Sequence, residues 1–254
     1  MPLSGVTALL EAANAAGSLT VVDVDVSPSV CVDEARLGSL DELTKVAKLA
    51  TVVKPTRHAA AELLALLAHG DPKKTGDFDA MTAQALTVAL VEATGARMVA
   101  LTAGSEGCAL ATHQGVSVSC PAPPLGPGGV VDATGAGDAF LGGLVAGMHE
   151  RIKAGLDAVP NDASGLKNLG KLANAAGAAS CQVRHSARCT VNRRLVLRLS
   201  CACLAPVLAG AWRPSRRVEP RQDSCPTWRR HAKRQLRRPR PPRGQPRRGH
   251  GLLG

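Results

Sequence analysis

The stretch VVDATGAGDAFLGGLVAGM, from Val130 to Met148, decides the fold and locates the candidate chemistry. The β-branched pair Val130 and Val131 predicts the end of a buried strand, and the apolar spacing from Ala139 to Met148 predicts a helix. A strand, a glycine turn and a helix N-terminus form an anion site, because free backbone N–H groups and the helix macrodipole both favour negative charge. The order of these elements therefore predicts a phosphate-binding turn.

The turn itself reads Asp132-Ala133-Thr134-Gly135-Ala136-Gly137-Asp138. Gly135 and Gly137 allow the backbone to approach a phosphate without a Cβ between them. Asp138 places a carboxylate at the same turn and is the candidate for accepting a proton from a hydroxyl group. A dinucleotide-binding fingerprint fits less well, because its third glycine position is Phe140. The turn therefore favours phosphoryl transfer.

Strands and helices alternate along the rest of the N-terminal region. Hydrophobic periodicity, capping residues and glycines predict the following elements: helices beginning near Ser4 and over Leu40–Leu49, Ala59–His69, Asp79–Ala93 and Ser164–Ser180, and strands over Leu19–Val26, Thr51–Lys54, Arg97–Thr102, Cys108–Thr112 and Val116–Ser119. This order predicts an α/β fold with three α/β/α layers and a mostly parallel central sheet. Ligands of such sheets bind outside the carboxyl ends of the strands, where the Asp132–Asp138 turn is expected.

Charge divides the chain into two regions. Residues 1–183 carry 12 Lys and Arg against 18 Asp and Glu, whereas residues 184–254 carry 19 against 2. The second region is rich in Arg and Pro and shows no helical or strand period, which predicts a disordered tail. The tail is either a sequence never selected to fold or a nucleic-acid-binding arm, and its two tryptophans give the second alternative little stacking surface.

The cysteines and apolar segments predict the cellular compartment of the protein. Eight cysteines are scattered without a CxxC pair, which predicts reduced thiols in an intracellular, cytoplasmic protein, with an organellar location as the alternative. The N-terminus lacks the basic region of a signal peptide, and Leu199–Trp212 is too short to span a membrane. We expect no membrane partner, and the sequence does not determine the oligomeric state.

Five segments together resemble the ribokinase, or PfkB-type, carbohydrate kinases. DATGAGDAF is similar to the D-T-x-G-A-G-D signature of that family, and LTVVDVDV to its strand ending in D-x-N-x-R. The further matches, in chain order, are TVVKPTRHAAAELL, MVALTAGSEGCALAT and LANAAGAASCQV. The resemblance covers residues 1–183 and identifies them as the C-terminal, nucleotide-binding half of a kinase domain whose N-terminal half is missing.

The resemblance implies a role for each matching residue. Asp138 would be the catalytic base, and the N–H groups of Gly135, Ala136 and Gly137 would form the anion hole. Thr134 would help to hold the turn, and Asp132 would orient it or face a monovalent cation. The nucleotide side would be lined by Thr102, Gly104, Gly107 and Asn174. The implied ligands are ATP, Mg²⁺ and a small sugar-like substrate.

Two family motifs are altered, which leaves alternatives open. Asp25 and Ser27 replace the amide and the guanidinium of D-x-N-x-R, and Thr56 and Ala59 replace the groups of N-x-x-E that help to organise Mg²⁺. Lys54 is expected to be a solvated lysine at a strand end, with a phosphate-facing cation as the alternative. The leading hypothesis is a PfkB-like sugar kinase. The alternatives are a catalytically inactive fragment or scaffold protein, and nucleic-acid binding through the basic tail.

Overall fold

A computed structural model of the chain describes residues 1–126 and 128–182. The predicted tail, residues 184–254, lies outside the described residues. Within them the structure has five strands, which are β1 (Val21–Val24), β2 (Val52–Pro55), β3 (Met98–Thr102), β4 (Cys108–Thr112) and β5 (Ser117–Cys120). Seven α-helices accompany them: α1 (Leu3–Ala15), α2 (Leu40–Leu49), α3 (Arg57–His69), α4 (Gly76–Asp79), α5 (Ala83–Thr94), α6 (Ala136–Lys153) and α7 (Ala163–Ser180).

The strands form one sheet in the order β1-β2-β3-β4-β5. β1, β2 and β3 pair in parallel, β4 runs antiparallel to β3, and β5 runs antiparallel to β4. All strands except β4 therefore point the same way, and the predicted mostly parallel sheet is confirmed. The register places Asp23 of β1 directly beside Lys54 of β2.

Alternating side chains of the strands point into two separate cores. Val53, Val99 and Leu101 pack into one core with apolar residues of α1, α2, α3 and α5. Val52 and Met98 pack into the other core with apolar residues of α6 and α7. The period of two residues thus buries both faces of the sheet, and the predicted three-layer α/β/α architecture is confirmed.

Local signals explain where the helices begin and end. The Ser39 hydroxyl accepts a hydrogen bond from Glu42 N–H, while the Glu42 carboxylate accepts one from Ser39 N–H, which forms a capping box at the start of α2. Thr56 caps α3 by accepting a hydrogen bond from Ala59 N–H. Gly70 ends α3 with a φ of 68°, a left-handed conformation that costs glycine little.

The segment before the phosphate-binding turn is not the predicted strand. Val130 and Val131 are exposed, at 59% and 46%, and neither belongs to the sheet. They follow a connector rich in Pro and Gly, and the backbone N–H of Val131 bonds to the carbonyl of Cys181 after α7. The turn is therefore attached to the end of α7 and not to a strand.

Among the described residues, no helix is both long and apolar enough to cross a membrane.

Candidate active site

The phosphate-binding turn leads directly into the first turn of α6. Gly135 is the N-cap residue of this helix and has a φ of 77°, a left-handed conformation that favours glycine. The first hydrogen bond of the helix runs from Ala139 N–H to the carbonyl of Gly135, at 2.9 Å. The N–H groups of Gly137 and Asp138 precede that bond, and this is the position in which backbone donors serve an anion.

The three predicted anion-hole donors are not equivalent. Ala136 N–H donates to the carbonyl of Ala133 at 3.1 Å, so it closes the turn. Gly137 N–H lies one residue further into the helix, next to the N–H of Asp138. The N–H of Asp138 also lies in the first turn of α6, so it is a further candidate donor beside the three that the sequence prediction named.

Asp132 stabilises the turn from its N-terminal side. Its Oδ1 accepts a hydrogen bond from the N–H of Thr134 at 2.9 Å. Thr134 itself is exposed. The N–H of Asp132 donates to the carbonyl of Cys181 at 3.1 Å. These contacts hold the loop before Gly135 in a fixed shape.

The carboxylate of Asp138 lies close to two carboxylates from the end of β1, more than a hundred residues earlier in the chain. One ligand oxygen each from Asp23, Asp25 and Asp138 lies within 4.8 Å of the others. Asp23 and Asp25 share one face of the chain at the carboxyl end of β1, because side chains two residues apart point the same way along a strand. Sequence reasoning treated them as an altered motif and did not place them in the site, although an Asp-x-Asp pair at a strand end is a signal that could have done so.

Lys54 is the fourth charged member of this cluster, and its expected solvent exposure was wrong. Its side chain is completely buried, at 0% exposure. The ammonium donates to Asp23 Oδ1 at 3.1 Å and to Asp23 Oδ2 at 3.3 Å, and it also pairs with Asp25. A lysine can be buried here because two carboxylates supply its hydrogen bonds and opposite charge.

Burial acts on the protonation of Asp23. Removal from water raises the pKa of Asp23 to about 6. Lys54 opposes this rise through charge and hydrogen bonding, while the nearby Asp25 adds to it. The carboxyl of Asp23 thus holds its proton to a higher pH than an ordinary aspartate does.

Gly137 connects the charged cluster to the helix N-terminus. A Cβ built on Gly137 would lie 2.7 Å from Asp25 Oδ2 and 3.0 Å from Lys54 Nζ. Both distances are too short for a side chain to fit without movement of the ion pair. The first turn of α6 therefore packs directly against the Lys54–Asp25 pair, with no side chain between them.

The predicted nucleotide loop follows β3. Thr102 ends that strand, Gly104 begins a short 3₁₀ turn with a φ of 57°, and Gly107 has a φ of 97°. Ala103 N–H donates to the carbonyl of Gly107 at 2.8 Å and closes the loop. A cavity of about 340 Å³ adjoins the loop, and its lining includes Arg57, Met81, Thr82, Gln84, Ala103 and Glu106.

Asn174 of α7 bonds to the backbone at the end of β5. Its side chain is buried, at 7% exposure, and its amide donates to the carbonyls of Cys120 at 2.9 Å and Pro121 at 3.1 Å. These bonds fix α7 to the end of β5. Both amide hydrogens thus bind backbone carbonyls, which favours a packing role over the adenine contact implied by the resemblance.

Comparisons with known proteins give the context of this geometry. No curated protein matches the sequence. A fructokinase with bound ATP from Xylella fastidiosa is similar in structure, with 21% identity, a TM-score of 0.54, and coverage of 72% of this chain and 51% of that chain. A fructokinase from Vibrio cholerae in a form with fructose, ADP and calcium bound has 20% identity, a TM-score of 0.54, and coverage of 80% and 55%.

These likenesses show a shared fold, and the chain spans about half the length of the solved structures it matches. The sequence itself matches the profile of the pfkB family carbohydrate kinases over residues 1–193. This match includes β1 with Asp23 and Asp25, the loop after β3, and the turn that carries Asp138. The chain belongs to the pfkB family of carbohydrate kinases.

Proposed function

We propose that this protein transfers the γ-phosphoryl group of ATP to a hydroxyl of a sugar-like substrate. One observation carries the proposal: the Asp138 carboxylate lies in the first turn of α6, beside backbone donors suited to a phosphoryl group. Asp138 is exposed, so a substrate hydroxyl can reach it. The solved fructokinases, which have ATP or fructose and ADP bound, support this choice of substrates.

Each part of the turn has a separate task in this reaction. Asp138 accepts the proton of the attacking hydroxyl. The N–H groups of Gly137 and Asp138, with the macrodipole of α6, stabilise the negative charge on the phosphoryl oxygens during transfer. Asp132 and Thr134 keep the turn in place, and Asp132 is the residue that would face a monovalent cation.

The acidic cluster fits a hard divalent cation in its ligand chemistry. Magnesium ions in phosphoryl-transfer sites are bound by one or two carboxylates together with substrate phosphates. Asp25 is exposed, and it would hold Mg²⁺ that arrives with ATP, while Asp138 acts as the base. The ion would neutralise charge on the phosphates. Thr102, Gly104 and Gly107 would face the nucleotide.

A panel of sugars tests this function. The purified chain is incubated with ATP, Mg²⁺ and each of several hexoses, pentoses and nucleosides, and phosphorylated product is measured directly. We expect product with at least one sugar, and a loss of about 10³-fold or more with Asp138→Asn, since a general base contributes about 10²–10⁴-fold and the charge of the site also changes. Asp77→Asn, at an exposed position in α4, is the control and should keep full activity.

A nucleotide-binding protein without turnover is the second candidate function. The observation that favours it is the replacement of the family's N-x-x-E groups by Thr56 and Ala59, which removes polar groups that would help to organise Mg²⁺. ATP binding by the chain with no phosphorylated product from any sugar would select this candidate over the kinase.

A further inference from the structure

Lys54 is buried beneath the residues that the proposed reaction uses. It stands on β2, in register with Asp23, and it points to the face of the sheet that α6 and α7 cover. Its ammonium is fully enclosed and has carboxylate partners on one side and Gly137 on the other. A charged group in such a place must be paired, because burial of an unpaired ammonium is strongly unfavourable.

The contacts of Lys54 fix the position of two carboxylates. Both oxygens of Asp23 accept hydrogen bonds from Nζ, and Asp25 pairs with the same ammonium. The other oxygen of Asp25 lies against Gly137, 2.7 Å from where a Cβ would be. Lys54 thus holds the Asp25 side chain in contact with the first turn of α6.

Charge near this turn works against the binding of a phosphate. Asp23, Asp25 and Asp138 bring three carboxylates within 4.8 Å of one another. Their negative charge would repel an anionic ligand at the N–H groups of Gly137 and Asp138, and a partly enclosed site screens such charges weakly. Lys54 is the cation that lies among them, so its charge offsets part of this repulsion.

We propose that Lys54 is a positioning residue that supports the anion site from the sheet, beneath the first turn of α6. It offsets the charge of Asp23 and Asp25 and holds Asp25 against Gly137, without itself touching the phosphate. The inference rests on the proposed function for the identity of the anion, a nucleotide polyphosphate. It is separate from the transfer step, because it concerns binding alone.

Four variants of the full chain test the proposal: Lys54→Met, Asp23→Asn, the double variant Lys54→Met/Asp23→Asn, and Lys45→Met. The last removes an exposed lysine of α2 that pairs with Glu11 and serves as the matched control. Binding of ATP with Mg²⁺, and of inorganic tripolyphosphate alone, is measured by calorimetry. Thermal unfolding followed by circular dichroism establishes the folded fraction of each variant.

We expect Lys54→Met to weaken binding of both probes by about tenfold or more per folded molecule, and Lys45→Met to bind normally. Asp23→Asn should bind at least as tightly as the unchanged chain, and the double variant within about threefold of the unchanged chain, because loss of one acid together with the ammonium leaves the net charge of the cluster as it was. This recovery separates charge offset from a purely structural role, in which the double variant would bind as weakly as Lys54→Met.

Three results would overturn the inference. These are normal binding of both probes by folded Lys54→Met, binding by the folded double variant about tenfold weaker than that of the unchanged chain, and binding of neither probe by the unchanged chain. The second result would mean that Lys54 contributes by direct contact with the phosphate or by structure, and not by offsetting the charge of Asp23. If Lys54→Met does not fold, the double variant still decides between the outcomes. Binding without transfer to any sugar would refute the proposed kinase activity and leave this inference intact.

Discussion

Gly137 lies so close to Asp25 that a Cβ at position 137 would be 2.7 Å from Asp25 Oδ2. This contact joins the carboxyl end of β1 to the N-terminus of α6, two elements that are more than a hundred residues apart in the chain. A side chain at position 137 would have to displace the Asp25 carboxylate, so the two elements meet closely because residue 137 is glycine. The contact also depends on Lys54, which keeps Asp25 in place.

Gly137→Ala tests this close approach. The added methyl group must displace the Lys54–Asp25 pair, so we expect the free energy of unfolding to fall by about 1–3 kcal/mol. ATP binding should weaken by about tenfold, since the first turn of α6 would shift with the pair. Urea denaturation and calorimetry measure the two effects.

Gly142→Ala is the control for this change, because it lies in the same helix. No atom approaches within 4 Å of a Cβ built there, so alanine should keep or raise the stability, by up to about 1 kcal/mol. Equal effects of the two substitutions would show that contact with the ion pair is unimportant.

The raised pKa of Asp23 predicts a pH dependence of stability. Because its folded-state pKa of about 6 exceeds the ordinary value of 3.8, the folded chain binds this proton more tightly than the unfolded chain. Its favourable contribution is complete below about pH 4 and is lost as the pH rises through about 6.

Asp23→Asn isolates this carboxyl, because asparagine remains neutral. Relative to this variant, the unchanged chain should be less stable at about pH 7 than at about pH 4.5, as measured by urea denaturation without metal ions. A stability difference that stays constant or changes in the opposite direction would contradict the assignment.

Asn174→Ala separates a packing role from a nucleotide contact. The substitution leaves the buried carbonyl of Cys120 and the part-buried carbonyl of Pro121 without their side-chain donor, and we expect a loss of about 1–3 kcal/mol in the free energy of unfolding. The folded fraction should bind ATP within about threefold of the unchanged chain. A much larger loss of ATP affinity, with unchanged stability, would instead support the adenine contact.

Local sequence signals were enough to predict much of the fold. The periodicity of α2 predicts its bounds, Leu40–Leu49, and Thr56 and Gly70 mark the ends of α3. The alternation of strands and helices along the chain predicts a sheet covered on both faces, and the two cores confirm it. These features depend on residues close together in the chain, where capping and side-chain period act.

The errors concern interactions between distant segments. Val130 and Val131 have the composition of a strand, but no neighbouring strand pairs with them and the carbonyl of Cys181 takes the N–H of Val131. Lys54 resembles a solvated residue at a strand end until the register places it beside Asp23, which lies 31 residues earlier. Strand register and helix packing, which bring Asp23 and Asp25 to Asp138, are not encoded in a local pattern.

The most direct test of the central claim compares the unchanged chain with Asp138→Asn in transfer of the γ-phosphoryl group of ATP to a sugar. The account predicts product from the unchanged chain and a loss of about 10³-fold or more in the rate with Asp138→Asn, while ATP binding is retained. Equal rates for the two proteins, or no transfer by the unchanged chain to any sugar, would contradict it.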